Sequence, residues 1–248
     1  MRDISIVSSD QSSPYLAIVI PIKTADTAVE AFVNPLLAKG CEVVVVQATP
    51  DESYTEEENV RRRCEDAGAI WVVAPASRGG QIVHGIANTR AALIWVLHID
   101  SAAVGCALDY LLQLSRSNTT CWGRFDIRLL GDHWGLAWVS WTMNWRSRLR
   151  RICTGDQGMF FHRALLEQIG GFPSQQLMED IEVSKRLRRV GAFQAPQIAI
   201  SSSGERWLRN GFWRTVFTMW LWRLRYFFGA SAQALYREYY ARPRRGDS

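Results

Sequence analysis

Apolar residues in the first half of the chain come in short unbroken runs rather than in alternation. Leu16 to Pro21 (LAIVIP), Glu42 to Gln47 (EVVVVQ), Ala69 to Ala74 (AIWVVA) and Leu93 to Ile99 are four such runs. Segments of this length, apolar throughout and rich in β-branched residues, predict strands buried on both faces. Amphipathic stretches separate them. Residues 26–39 place Val29, Phe32, Val33, Leu36 and Leu37 at helical spacing in spite of Pro35, and Gly40 stops that helix. Acidic residues 51–58 open another helix, ending near Gly68. Strand and helix in alternation predict an α/β fold, a mostly parallel central sheet flanked by helices on both faces. Ligands of such sheets lie at the carboxyl ends of the strands. Gln47, the loop Ala76–Gly80 and Asp100 all fall there. No G-x-G-x-x-G follows the first strand, which argues against a Rossmann dinucleotide site.

After residue 120 the texture changes. Gly123 to Leu129 alternates like an antiparallel strand, and Cys153 to His162 sets small polar residues before an apolar run. Ala164 to Ile169 predicts a short helix ended by Gly170-Gly171. Met178 to Val190 predicts a longer one with Val183, Leu187 and Val190 on one stripe, and Ala195 to Ile200 a last strand. Residues 1–14 are polar and Ser-rich and read as a loose tail. The chain has 248 residues, 48% of them hydrophobic, enough to bury one substantial core. Its net charge of +5 is almost wholly arginine, since Lys23, Lys39 and Lys185 are the only lysines. The five cysteines are widely spaced with no C-x-x-C pair, so neither a zinc site nor a disulfide framework is indicated. The N-terminus lacks the apolar core of a signal peptide, so a cytosolic, reducing location is expected. No nucleic-acid partner is expected.

Two acidic positions are candidates for chemistry. Glu179-Asp180 opens a predicted helix, where acids are favoured by the helix dipole alone but where a general base could also sit. Asp100 follows a strand, where an Asp commonly makes a turn but can also bind a divalent metal through oxygen. Each is ambiguous alone, but the order of the two is that of a known family. The motifs IVIP (18–21), EVVVV (42–46), RGGQ (78–81), LHIDS (97–101), GRFDIRL (123–129) and TGDQGMFF (154–161) resemble those of family-2 glycosyltransferases of the GT-A fold. So do IGGFP (169–173), LMEDIEVSKRLRRVG (177–191) and SSGERWLRNGFWRT (202–215). More narrowly, the chain resembles the bacterial subgroup labelled arsenosugar-biosynthesis-type glycosyltransferases. The resemblance runs from residue 16 nearly to the end, and its later motifs are the more specific.

The resemblance implies a nucleotide-diphospho-sugar transferase domain over residues 15–204 that transfers sugar with inversion to an acceptor hydroxyl or carboxylate. Asp100 matches the family's metal-ligating acid, which holds Mg²⁺ or Mn²⁺ on the donor diphosphate, and His98 stands where a first acid usually is. Asp180 matches the general base, with Glu179 beside it. Pro21, at the end of the first motif, Gln47 and Arg78 fall on the donor side. Arg206 and Trp207 resemble an Arg-Trp element that closes over the donor phosphates, and Asp156 and Gln157 fall on the acceptor side. The first half departs from the pattern: Gln47 replaces an Asp that binds the nucleotide base, with Asp51 a poor substitute. The Asn-Glu pair usual after strand one is absent, and Val83 replaces an Asn. An alternative reading is therefore a catalytically degenerate binding or scaffold protein with a weakened nucleotide site. A nucleotidyltransferase is disfavoured because the Gly- and Arg-rich loop after strand one is missing.

Residues 205–248 carry nine arginines against Glu205, Glu238 and Asp247. Trp213, Val216, Phe217, Trp220, Leu221, Leu224, Phe227 and Phe228 form one broad helical stripe, and Met219, Trp222 and Tyr226 form a second on the opposite side. The uncharged run Thr215 to Trp222 is too short to span a bilayer. A surface helix needs only one apolar face, so the second stripe calls for a partner. Either it meets a membrane interface, consistent with a lipid-linked or apolar acceptor and a peripheral place on the inner membrane face, or it meets protein: a second copy, or the tail carrying Tyr236, Tyr239 and Tyr240.

Overall fold

The computed structural model of the chain describes residues 15–50, 55–117, 119–209 and 211–241. The tail 1–14 and Asp51 lie outside the described residues, as do the side chains of Arg206, Tyr239 and Tyr240.

The four apolar runs form β1 (Leu16–Ile22), β2 (Glu42–Ala48), β3 (Ile70–Ala74) and β4 (Leu93–Val96). They pair in parallel in the order β3-β2-β1-β4. Along β1, Ile18 and Ile20 join Val43 and Val45 in a core on one face, while Val19 joins Val44, Val46 and Ile94 on the other. Burial on both faces is why these strands carry no polar alternation. Helices α1 (Thr27–Leu37), α2 (Thr55–Asp66) and α4 (Gly105–Ser115) cover the first face through Val33, Val60 and Leu111. Helix α3 (Arg78–Ala87) covers the second, so close that a Cβ on Gly85 would sit 2.4 Å from Val19 Cγ1.

Beyond β4 the sheet becomes mixed. β7 (Phe160–His162) runs antiparallel to β4 and to β5 (Cys121–Gly123), and β8 (Ala192–Gln194) closes the edge parallel to β5. A second, two-stranded parallel sheet pairs β6 (Asp126–Leu130) with β9 (Ala199–Ser203). The stretch 123–129 is thus divided between two sheets and its second part pairs in parallel, not antiparallel. The break comes where Arg124 N–H donates to Gln194 O and Phe125 N–H to Gln157 O, turning the chain out of the main sheet. The last strand starts at Ala199 rather than Ala195, beyond Pro196, which has no N–H to give a ladder. The fourth strand ends at Val96 instead of Ile99: Leu97 N–H still reaches Val19 O, and Ser101 N–H then closes a turn on His98 O at 3.0 Å. The segment Ala76–Gly80 is a helix start rather than a loop, because Ser77 caps α3 by accepting the Gly80 N–H.

The C-terminal residues form α8 (Glu205–Arg209), α9 (Phe212–Phe227) and α10 (Ala232–Ala241). Here the roles of the two stripes are reversed. Trp222 is buried at 4% exposure against Met178, Ile181 and Leu235, with Met219 and Tyr226 packed beside it. Tyr226 also donates its hydroxyl to Glu182 and receives Lys185 Nζ over its ring at 4.5 Å. Arg225 pairs with Glu238 at 2.8 Å and holds α10 against α9. The stripe expected to seek an outside partner is therefore taken by protein, including the returning α10. Val216 apart, most of the broad stripe lies open, with Phe217 at 68% and Trp220 at 60% exposure. Helix α5 (Gly135–Arg150) adds Trp138, Trp141, Trp145 and Leu149 to the same exposed face. Among the described residues no helix is long and apolar enough to cross a membrane.

With Trp222 buried in this way, Trp222→Ala should cost about 3–5 kcal/mol of stability. Trp220→Ala, on the open side, should change it by no more than about 0.5 kcal/mol. Equal midpoints in urea for the two variants would contradict the docking of α9.

Candidate functional site

Arg78, the first residue of α3, occupies the middle of the site. One of its terminal nitrogens meets His98 Nε2, and its Nε lies 3.1 Å from Glu179 Oε1. A guanidinium only donates, so the imidazole nitrogen facing it is the acceptor of the pair. Burial disfavours the Arg78 charge, but Glu179, Asp156, Asp180 and Asp100 together outweigh it and raise its pKa. One cation thus gathers residues from strand ends, turns and helices across more than a hundred positions. The approach requires Gly155, where a Cβ would fall 1.6 Å from the Arg78 Nη2.

Glu179 and Asp180 begin α7 (Glu179–Leu187), after Met178 in a left-handed conformation (φ 62°, ψ 22°). A non-glycine residue seldom adopts that geometry, and here it sets both carboxylates at the positive end of the helix. Glu179 is buried, and burial first, then the neighbouring Asp180, pushes its pKa up to about 7 against the pull of Arg78. Asp180 is half-buried and its Oδ2 accepts the Gly155 N–H at 3.0 Å.

Gly155 opens a 3₁₀ turn, Gly155–Gln157, whose anchor is Gln157. The Gln157 amide is fully buried and fully used: Oε1 accepts from Thr154 N–H and Oγ1, and Nε2 donates to Asn144 Oδ1 and Ser147 Oγ. It faces α5, not the cleft, whereas the neighbouring Asp156 acts by its charge on Arg78. Cys153 N–H donates to Ser184 Oγ and ties the same turn to α7.

Asp100 lies exposed in the turn after β4, with Oδ2 accepting from Ser202 Oγ at 2.9 Å. Sequence reasoning did not single out Ser202, although it opens the motif 202–215, because its partner lies 102 positions away. The remaining expected residues are more remote in role. Pro21 is half-buried within β1 opposite Val46. The Gln47 side chain is spent on protein, donating to Glu57 and accepting from Trp71. Trp207 is buried in the main core with Phe212 and Val216 rather than standing over the cleft.

Among the described residues no group of three or more His, Cys, Asp or Glu could hold a metal ion. Asp100 is a single carboxylate whose Oδ1 makes no hydrogen bond among the described residues. One such ligand suits Mg²⁺ or Mn²⁺ carried largely by a substrate's phosphates and water, and does not suit a permanent protein cage.

No family model matches the chain, and no curated protein matches it in sequence. Solved structures match its fold. Residues 1–349 of S. aureus TarS align at TM-score 0.55 and 10% identity, over 76% of this chain and 60% of that one. The same TarS fragment in complex with UDP-GlcNAc aligns at 0.51 and 11% identity, over 76% and 58%. Mycobacterium tuberculosis glucosyl-3-phosphoglycerate synthase, solved with Mn²⁺, UDP and phosphoglyceric acid, aligns at 0.50 and 14%, over 76% and 69%. The fold is accordingly the α/β fold of GT-A glycosyltransferases.

The raised Glu179 pKa has a stability signature. Folded, Glu179 keeps its proton to about pH 7, against an ordinary value of 4.5. Its stabilising contribution is full below the ordinary value and is lost as pH rises through the folded one. Glu179→Gln, which cannot ionise, should flatten the fall in thermal midpoint between those two pH values. An unaltered slope in a pH series of melting curves would contradict the burial argument.

Proposed function

We propose that this chain is an inverting glycosyltransferase that moves a sugar from a nucleotide-diphospho-sugar to an acceptor hydroxyl or carboxylate. The observation that carries the reading is the convergence of Asp100, Arg78, His98, Asp156, Glu179 and Asp180 at the carboxyl edge of the parallel strands. Ligand positions in open parallel sheets lie at that edge. The UDP-GlcNAc in TarS and the Mn²⁺ and UDP in the mycobacterial synthase support a nucleotide-sugar donor and a divalent ion. The narrower likeness to the arsenosugar-biosynthesis-type subgroup belongs to this reading and rests on the sequence motifs.

In this reading Asp180 is the base that takes the acceptor proton, with Oδ2 steadied by the Gly155 N–H. Glu179, buried and paired with Arg78, positions that arginine for the donor diphosphate rather than taking the proton itself. Asp100 and the diphosphate oxygens would hold Mg²⁺ or Mn²⁺, which supplies charge neutralisation for the departing nucleoside diphosphate. Because the leaving group departs as a stabilised anion, no second carboxylic acid is needed to protonate it. Asp156 faces the reacting sugar or acceptor. Residues 15–204 form the transferase domain, and 205–248 an appended helical segment that sets the enzyme against the inner face of the cell membrane, where an apolar acceptor would be met.

The Gln47 amide, committed to Glu57 and Trp71, favours a second reading: a chain of the same descent that has lost its nucleotide grip. Thermal stabilisation separates the two. A nucleotide that binds only the folded chain raises the midpoint by mass action, so UDP or GDP with Mn²⁺ should stabilise the transferase, and Asp100→Asn should remove the Mn²⁺-dependent part. Asp180→Asn should leave that shift intact and lower transfer about 100- to 10,000-fold. Full turnover by Asp180→Asn in a donor screen would refute the base assignment, and no stabilisation by any nucleotide would favour the scaffold.

A further inference from the structure

Helices α5 and α9 enclose a groove of about 1120 Å³, and of the described residues expected on the donor side Trp207 alone lines it. Trp138, Trp145 and Leu149 line it from α5, and Trp220, Leu224 and Phe227 from α9. Its charged lining is of one sign. Arg146, Arg150, Lys185, Arg188 and Arg223 contribute, and among the described residues no carboxylate does. Ile181, the residue after Asp180, lines it as well, so one part of the groove borders the carboxylate that opens α7.

Arg146 is the telling member. Its Nε is buried and has no hydrogen-bond partner. Its pKa is pushed down to about 10, first by burial and then by the like charge of Arg223, with Asp180 opposing. A guanidinium partly withdrawn from water, with the like charge of Arg223 near it, is favoured in its charged form by an anion in the groove. The tryptophans beside them need the opposite, an apolar body to cover them. A single molecule meets both needs if it has an anionic head and an apolar chain.

We propose that the groove between α5 and α9 is the acceptor subsite, and that it takes an anionic amphiphile. The head pairs with Arg146 and Arg223, and the chain lies along the tryptophan row. The head is then a phosphate or a carboxylate next to Asp180, and a hydroxyl or carboxylate oxygen on the same molecule is the group glycosylated. The identity of the occupant as acceptor rests on the transferase reading. The groove's preference for anionic amphiphiles does not.

The test is binding followed by tryptophan fluorescence, using monomeric dodecyl phosphate and dodecanoate, with dodecyl maltoside and inorganic phosphate as controls. At least one anionic chain should bind saturably and about tenfold or more tighter than either control, since charge-assisted hydrogen bonds are worth that much. The ratio of the two anionic arms tells a phosphate head from a carboxylate head. Arg146→Gln should lose that advantage, Arg223→Gln should weaken it independently, and Arg146→Lys should keep part of it. Melting curves establish that each variant is folded, and should Arg146→Gln fail to fold, Arg223→Gln carries the test. Equal binding of charged and neutral chains, or undiminished binding by the folded glutamine variants, overturns the proposal. Amphiphile binding without stabilisation by UDP and Mn²⁺ would instead overturn the transferase reading and leave the groove standing.

Discussion

A single guanidinium stands among four carboxylates at the edge of the sheet, and the arrangement of the cleft depends on it. Asp100, Asp156, Glu179 and Asp180 come from three segments distant in sequence, and like charges so gathered would drive those segments apart. Arg78 opposes that repulsion from the start of α3, reaching the Glu179 carboxylate and the His98 ring at once. Its charge is not enough to keep every carboxylate ionised, so Glu179 gives way by holding its proton to about pH 7. Asp180, better exposed, is held by the Gly155 N–H. Two adjacent carboxylates thereby come to differ in their surroundings through burial and the charges beside them.

The N–H that holds Asp180 is itself fixed from far away. Arg124 and Arg148 both pair with Asp126, and Arg124 also donates to Asn144 O. Asn144 in turn bonds the β6 backbone at Ile127 and the Gln157 amide that anchors the 154–157 turn. Through this network the inner side of α5 sets the position of Gly155. The outer side of the same helix carries Trp141 and Trp145, at 62% and 56% exposure. Whatever covers that outer row therefore sits one helix diameter from the turn whose Gly155 N–H holds Asp180.

The sequence pattern was most legible where burial is two-sided. Continuous runs such as LAIVIP and EVVVV leave strands as their simplest outcome, and β1 to β4 follow within a few residues. It was less legible where the chain changes sheets: alternation in 123–129 does not say whether the neighbour runs parallel, and β9 becomes that neighbour from over seventy positions away. Among candidate site residues, the Glu179-Asp180 pair and Asp100 were ambiguous alone and were singled out by their order in the family's motifs; the fold gathers them around Arg78. Gln157 and Trp207 were not, since a motif fixes that a residue is needed but not whether it faces ligand or core. Ser202, inside a quoted motif, and Arg146, in none, were not singled out, because each matters through a partner brought near only by the fold.

The reversed packing of α9 has a physical reason that composition conceals. Counting apolar area favours burying the broad stripe, yet the helix buries Met219, Trp222 and Tyr226. Those three meet a ready-made surface: Met178 and Ile181 beside the two carboxylates, Leu235 from the returning helix, and polar partners for the Tyr226 hydroxyl in Gln175 and Glu182. The broad stripe offers polar atoms only in the indole N–H groups of Trp213 and Trp220 and would have to face another flat apolar wall. Its exposure next to an equally exposed α5 leaves a continuous apolar patch, which soluble monomers rarely carry without an interaction to match it. Since α9 is anchored on α7, the helix that carries Glu179 and Asp180, any molecule drawn to that patch is brought up to the cleft. The choice of face by one helix thus links an apolar surface to a charged site, a link that neither feature would disclose by itself.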